Sequence, residues 1–266
     1  NLKYIHQLFV EFLTNEELNA DIGKITLNRI EEFLSKFSSS GTYYMDKRRD
    51  LGVLFSSAGK SLQIDLKVIR NTEPRNTKAT LHKIYEKDKM KKILEFLKED
   101  NPNLYICCLL SYGCFLRPHQ EVRNLTAGHF KKECTEIHLS GGENKGRKVR
   151  VVYVPDYVRE ALVIRLGNLT STNNLFSLKD EPFNDAYFNT SWKRAWDKME
   201  KAGLIEKQQT IYSFRHTAAV DVYRRTKDVY LLQKLLGHST IVVTLKYLRG
   251  LGEFNMEELR EAAPQL

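Results

Sequence analysis

The chain has 266 residues, with 42 Lys plus Arg against 33 Asp plus Glu and a formal charge of +9. At 42% hydrophobic and 11% aromatic it holds enough apolar material for a core, which excludes disordered and low-complexity architectures, and its length suits one large or two ordinary domains. The longest nearly apolar stretch, Leu104 to Leu116, is broken by Ser111, Tyr112 and Gly113 and falls short of the about 20 residues of a membrane span, while the basic balance favours a polyanionic partner.

The first third reads as helices. Asn1-Leu2-Lys3-Tyr4 carries neither an initiator Met nor the apolar core of a signal peptide, so a piece of a cytoplasmic protein with a segment upstream is expected. Leu8, Phe9, Phe12 and Leu13 form one apolar stripe, and Leu27, Ile30, Phe33 and Leu34 a second, at the spacing of a helix with one buried face. Ser38-Ser39-Ser40-Gly41 ends the second helix. A third begins near Tyr43, carries Leu51, Leu54 and Phe55 inward, and bears Lys47, Arg48 and Arg49 on its early turns. Ser57-Ala58-Gly59-Lys60-Ser61 imitates the end of a phosphate-binding loop, but Leu54 stands where that motif needs Gly and no strand precedes it. Asn71 to Ala79 has no apolar period and reads as a linker, so a helical domain is expected over 1–78 and a larger one over 79–266.

In the larger domain, Ile84 to Leu97 and Tyr105 to Leu110 are helical in pattern. Three of the four cysteines, Cys107, Cys108 and Cys114, share one apolar segment. With Cys134 they show no C-x-x-C pair and no His at ligand spacing, so buried reduced thiols are expected. Ile137 and Leu139 alternate before Gly141-Gly142, and Val149, Val151 and Tyr153 alternate after it, as in a hairpin with a long basic loop. Beyond Pro155 the pattern is helical, with loops at Gly167 to Asn174 and Gly203 to Thr210. The fold class is therefore mainly α with a small β-hairpin or sheet.

Four local features bear chemistry. Pro118 suits a first helical position, which puts Arg117 at a helix N-terminus, where a cation is unfavourable unless an anion is bound; by itself Arg117 also reads as a surface residue. The loop Gly141 to Arg150 holds Lys145, Arg147, Lys148 and Arg150 and reads either as a solvated turn or as a tip that follows a nucleic-acid groove. In Tyr212-Ser213-Phe214-Arg215-His216-Thr217, Tyr212 and Arg215 share a helix face, Phe214 and Ala218 point inward, and His216 reads as a satisfied, partly buried histidine. In the fourth, Gly237 ends a helix, Ser239 can cap the next and His238 is exposed at the junction. Tyr247 lies nine residues beyond His238, about 13 Å along a straight helix, and alone reads as a core or interface aromatic.

In order and approximate spacing, Arg117, the Lys145 hairpin, Arg215 with His216-Thr217, Leu236-Gly237-His238-Ser239 and Tyr247 resemble the tyrosine recombinase (phage integrase) family, from about residue 80 to 250. The resemblance implies a helical core-binding domain and a mixed α/β catalytic domain that close on duplex DNA. Arg117 and Arg215 would clamp the phosphoryl oxygens as charge grows on them. Tyr247 would attack phosphorus to give a 3′-phosphotyrosine, Lys145 (with Lys148 as fallback) would protonate the leaving 5′ oxygen, and His238 would hydrogen-bond the scissile phosphate. No metal or cofactor is implied. Lys47, Arg48, Arg49, Arg147, Lys148 and Arg150 are the candidate DNA-backbone contacts.

The implied partner is double-stranded DNA at a specific recombination site, bound by a dimer or tetramer, with no membrane involved. The context is a phage or mobile element in the bacterial cytoplasm, at the nucleoid, and whether an arm-binding domain precedes the chain is left open by the sequence. The amphipathic tail Phe254 to Leu259 either docks on a neighbouring subunit or packs on its own domain. Two departures stand out. Tyr212 occupies the family's usual His position three before the second Arg, and a phenol donates a hydrogen bond but does not accept a proton near neutral pH, so slower turnover is expected. After Arg117 the usual acid three residues on is Gln120, with Glu121 one later, as if by a one-residue insertion. Rival readings are a type IB topoisomerase and a DNA-binding regulator that has lost catalysis.

Overall fold

The apolar stripe at the head of the chain forms α1 (Leu2–Phe12), which buries Ile5 and Phe9, in the computed structural model, which describes residues 2–76, 82–143 and 148–252. The short α2 (Asn15–Leu18) opens on a reciprocal cap in which Thr14 Oγ1 accepts the Glu17 N–H and the Glu17 carboxylate accepts the Thr14 N–H. Thr26 caps α3 (Leu27–Ser35), whose Ile30, Phe33 and Leu34 are buried. The serine run that follows is a turn, and its last member, Ser40, accepts the Tyr43 N–H at 3.1 Å and so starts α4 (Gly41–Leu62). Phe33 and Phe55 meet the Phe9 ring edge-on, with centroids 4.9 and 5.6 Å away. The loop imitation at Ser57 to Ser61 is the last part of α4, where a Cβ on Gly59 would lie 2.8 Å from the Ile64 carbonyl; this Gly serves a close backbone approach.

The basic residues of α4 are placed otherwise than their sequence suggests. Lys47 is only 6% exposed, its ammonium 4.7 Å from the centre of the Tyr4 ring and 5.3 Å from that of Tyr43. Arg48 donates to Thr72 Oγ1 at 2.7 Å and to the Thr72 carbonyl at 3.0 Å, and Arg49 is exposed and paired with Asp46 and Asp50. The apolar stems of Lys47 and Arg48 are drawn inward because aromatic rings and free carbonyls lie within reach of their heads. Residues 71–76, expected as linker, are partly bound down: Thr72 is 2% exposed and the Tyr44 hydroxyl donates to the Glu73 carbonyl at 3.2 Å. The chain divides into two units after Ala79.

In the second unit, α5 (Lys87–Asp100) and α6 (Pro102–Gly113) are separated by Asn101 alone, whose side chain accepts the Leu104 N–H at 2.9 Å. Helix α6 is buried along most of its length, and the four cysteines are buried and free. An antiparallel sheet follows in the order β1 (Phe130–Lys131), β2 (Glu136–Leu139), β3 (Arg150–Tyr153), with Ile137 opposite Val152. Three successive left-handed residues, Lys132, Glu133 and Cys134, turn the chain between β1 and β2.

The register of β3 corrects the sequence reading. Val149, Val151 and Tyr153 point outward, 80, 54 and 65% exposed, while Val152 and Val154 are buried. Because successive side chains alternate faces, Arg150 goes inward with the buried pair.

Helix α7 (Asp156–Leu166) leads into an irregular stretch that runs to residue 186 rather than 174, pinned by the buried Asn174, whose amide donates to the carbonyls of Arg123 and Leu125. Then come α8 (Tyr187–Lys201), α9 (Ser213–Thr226), α10 (Val229–Leu236) and α11 (Ile241–Gly250). Around Phe115, a small core of Ala218, Ala219, Val220, Leu232, Leu236 and Leu248 packs the last three helices together. The unit is mainly α with one small sheet. Among the described residues no helix is long and apolar enough to cross a membrane. Lys145, Arg147 and the tail from Phe254 to Leu259 lie outside the described residues.

Candidate active site

Helix α6 ends at Gly113, and two residues later Phe115 takes a left-handed backbone at φ 52°. A non-glycine residue in that region is held by its surroundings, and here both Arg215 and Arg150 donate to its carbonyl. Arg117 follows two residues later. Pro118 opens a turn and a 3-10 segment (Val122–Asn124) rather than an α-helix, so Arg117 sits against a carboxylate and not at a helix N-terminus. Glu121, 1% exposed, accepts the Arg117 N–H at 2.9 Å and pairs with its guanidinium.

The same carboxylate faces two more cations, Arg150 Nη1 at 3.2 Å and Arg215 Nη1 at 4.0 Å. Arg215, fully buried on α9, also donates to the Leu236 carbonyl at 2.8 Å, and Arg150 donates to the Leu235 carbonyl at 2.6 Å. Among the described residues, the Nε atoms of both are buried without a hydrogen-bond partner. Burial, with the neighbouring arginines, pushes Arg150 down to about 10 against the pull of Glu121, and burial likewise lowers Arg215. Three guanidiniums thus share one carboxylate in a largely desolvated place.

The two carbonyls at the end of α10 are presented by its cap. Gly237 is left-handed at φ 62°, and a Cβ there would lie 2.8 Å from Arg150 Nε. Gly237→Ala is therefore expected to strain the backbone by about 1–2 kcal/mol and to displace Arg150. A thermal melt reads the first effect. Loss of strand cleavage reads the second, about 10²-fold or more if Arg150 stabilises developing charge.

The turn after Gly237 also corrects the distance between His238 and Tyr247. Thr240, not Ser239, is the residue before α11, and the turn folds the chain back so that the two rings lie 5.4 Å apart. His238 bonds Thr244 Oγ1 through Nδ1 at 3.0 Å, and burial together with Arg215 and Arg117 pushes its pKa down to about 4. The Tyr247 hydroxyl is 2.7 Å from His216 Nδ1. Burial raises the phenol's pKa and Arg215 opposes the rise. His216 stacks on the His82 ring at 4.5 Å, and its pKa is pushed down to about 3 by burial, His82 and Arg215. Tyr212 stands just before α9, half-buried, its ring 5.1 Å from that of His216.

The structure thus brings Arg117, Arg215, Tyr212, His238 and Tyr247 to one place within a single chain. It also brings three residues that the sequence reading put elsewhere or left without a role. Arg150 is part of the arginine cluster; it shares strand parity with Val152 and Val154, but apolar residues on both parities of this strand hide that signal in the sequence. Glu121 joins the arginines. His216 touches the Tyr247 hydroxyl, and nothing in the sequence beyond its place beside Arg215 marked it. Of the hairpin cations, Lys148 is described and exposed. Among the described residues no cluster of His, Cys, Asp and Glu is placed to hold a metal ion.

The sequence profile of the phage integrase family matches residues 83–251, which takes in every residue of this cluster. The chain belongs to the phage integrase family, the tyrosine recombinases. One relative, tyrosine recombinase XerA of Pyrococcus furiosus, is 26% identical over 276 residues, covering 96% of this chain and 94% of that protein. A putative integrase of Pseudomonas phage Pf1 is 27% identical over 161 residues, 60% of this chain and 43% of that one. Among solved structures, a lambda integrase dimer bound to a COC′ core site has a similar fold, with a TM-score of 0.70 at 16% identity over 96% of this chain and 89% of that one. XerH recombinase bound to its difH substrate before cleavage gives 0.67 at 21% identity, covering 97% of this chain and 76% of the other. In this tyrosine recombinase Tyr212 stands three residues before Arg215, and Glu121 reaches Arg117 from four residues away.

Proposed function

We propose that the chain is a site-specific DNA recombinase that cleaves and rejoins duplex DNA through a covalent 3′-phosphotyrosine at Tyr247, in the service of a phage or mobile element. The observation that carries this reading is the excess of guanidinium charge: Arg117, Arg150 and Arg215 converge on one carboxylate beside a half-buried phenol. A cluster with that imbalance in low dielectric favours an anion, and a phosphodiester supplies one whose charge grows during attack.

In this mechanism Arg117 and Arg215 hold the non-bridging oxygens, with Arg150 as a third cation behind them, and His238 donates to the same phosphate. Tyr247 attacks phosphorus from within its own subunit's site. The 5′ oxygen leaves with a proton from the β2–β3 loop, where Lys145 is the assigned acid and Lys148 the fallback. Reversal by a 5′ hydroxyl rejoins strands without an external energy source, because the phosphoester bond is conserved in the enzyme link. The first unit is the core-binding domain. Of its basic residues, Arg49 is exposed on α4 as a candidate backbone contact, whereas Lys47 and Arg48 hold internal contacts. Since lambda integrase is seen as a dimer on its core site, two or more copies of this chain assemble on DNA, at the nucleoid in the cytoplasm.

The test uses nicked duplexes drawn from the DNA flanking the gene, built so that the short cleaved strand diffuses away and religation fails. A denaturing gel is expected to show protein-linked DNA, and peptide mapping to place the link on Tyr247. Binding without any linked species, or a link to another residue, overturns the proposal.

A further inference from the structure

Residue 212 is a phenol, so the reading above leaves the proton of Tyr247 without an acceptor. We infer that His216 fills that role: its Nδ1 takes the Tyr247 proton as the phenolic oxygen bonds to phosphorus. This rests on Tyr247 being the nucleophile, and it gives a role in the reaction to a residue that by its sequence reads as a satisfied, partly buried histidine.

The geometry carries it. Nδ1 stands 2.7 Å from the hydroxyl oxygen, within the reach required of a general base. The ring cannot swing away freely: it is on α9 one residue after the buried Arg215, it stacks at 14° on His82 on one side, and it meets the Tyr212 ring at 5.1 Å. His238, the other imidazole near Tyr247, turns Nδ1 to Thr244 Oγ1 instead.

Among the described residues, the groups facing His216 are His82, Tyr212, Tyr247 and Arg215, with no carboxylate among them. The ring is therefore neutral at working pH, and an acceptor must be neutral. A ring so depressed is a weak base in the free protein. The phosphodiester that docks on the arginines brings negative charge beside it and raises its basicity when it is needed. The step balances. As the bond from Tyr247 oxygen to phosphorus forms, the phenolic O–H bond breaks and its proton goes to Nδ1. The bond from phosphorus to the 5′ oxygen breaks, and that oxygen takes a proton from the loop acid. In rejoining, Nδ1 returns its proton to the departing phenolic oxygen.

The experiment measures single-turnover cleavage of the nicked duplex across pH for the unaltered protein, His216→Gln and His216→Ala. Gln accepts a hydrogen bond from Tyr247 but does not take its proton, so it separates orientation from proton transfer. His216→Gln is expected to bind DNA normally and to cleave about 10²–10⁴-fold more slowly, without the acid-side fall in rate of the unaltered protein. Added imidazole is expected to restore part of the cleavage by His216→Ala, more so for more basic imidazoles. Should His216→Ala fail to fold, His216→Gln and the pH profile still decide. Cleavage by His216→Gln at the unaltered rate, or an acid limb that persists in it, overturns the assignment of His216 while leaving Tyr247 as nucleophile. Absence of any Tyr247 link in the unaltered protein instead removes the reading on which the inference stands.

Discussion

Tyr247→Phe is expected to bind the same duplexes as the unaltered protein and to form no covalent link with any of them. The substitution removes one oxygen and leaves the ring, whose contacts with His216 at 5.2 Å and His238 at 5.4 Å do not involve the hydroxyl. Binding is retained because the cations proposed to meet the phosphate, Arg117, Arg150 and Arg215, are held chiefly by Glu121 and by main-chain carbonyls, the phenol adding one contact to Arg215. Stability falls only modestly. The variant loses the hydroxyl's hydrogen bonds to His216 and Arg215 and strands His216 Nδ1 in a buried place, which costs about 1–3 kcal/mol. A gel shift beside a denaturing gel separates the two outcomes. A linked species that survives in Tyr247→Phe would mean that another side chain attacks.

Much of this architecture can be read from the chain because helices announce themselves locally. The stripes around Phe9 and Phe33 become α1 and α3 since their spacing matches the helical turn, and Thr26, Ser40 and Asn101 cap helices where their side chains meet free N–H groups. The sheet is harder. In Val149-Arg150-Val151-Val152-Tyr153-Val154 apolar residues occupy both parities, so alternation cannot say which set faces the core. Burial against β2 chose Val152 and Val154 and carried Arg150 inward with them. Strand β1 has two residues and no period to detect.

In the site, the residues on recognisable motifs were found singly, but their relations were not. Glu121 meets Arg150 across 29 positions of sequence, and His216 meets Tyr247 across 31. No local pattern encodes such a meeting. It arises when α9, α10 and α11 close on the small core around Phe115. The estimate of about 13 Å from His238 to Tyr247 assumed a straight helix, and it failed for a related reason: the left-handed Gly237 turns the chain back on itself.

Glu121→Ala is expected to be the most destabilising substitution in the site. The carboxylate is the shared partner of three guanidiniums, it is 1% exposed, and it also accepts the Arg117 N–H. Removing one member of a buried ion cluster leaves the rest uncompensated, at a cost of about 3–5 kcal/mol, a large part of the about 5–15 kcal/mol that holds a domain folded. Glu121→Gln keeps the volume and an acceptor for the Arg117 N–H but not the charge, so its melting point should lie between those of Glu121→Ala and the unaltered protein. Both variants carry one more uncompensated positive charge at the place proposed for the phosphodiester. Inorganic phosphate should therefore raise their melting temperatures more than that of the unaltered protein, since an anion that binds only the folded state stabilises it by mass action. Thermal melts with and without phosphate test both parts. If Glu121→Ala melts with the unaltered protein, the arginines do not depend on that carboxylate; if phosphate lifts all three equally, the cluster is not where the anion sits.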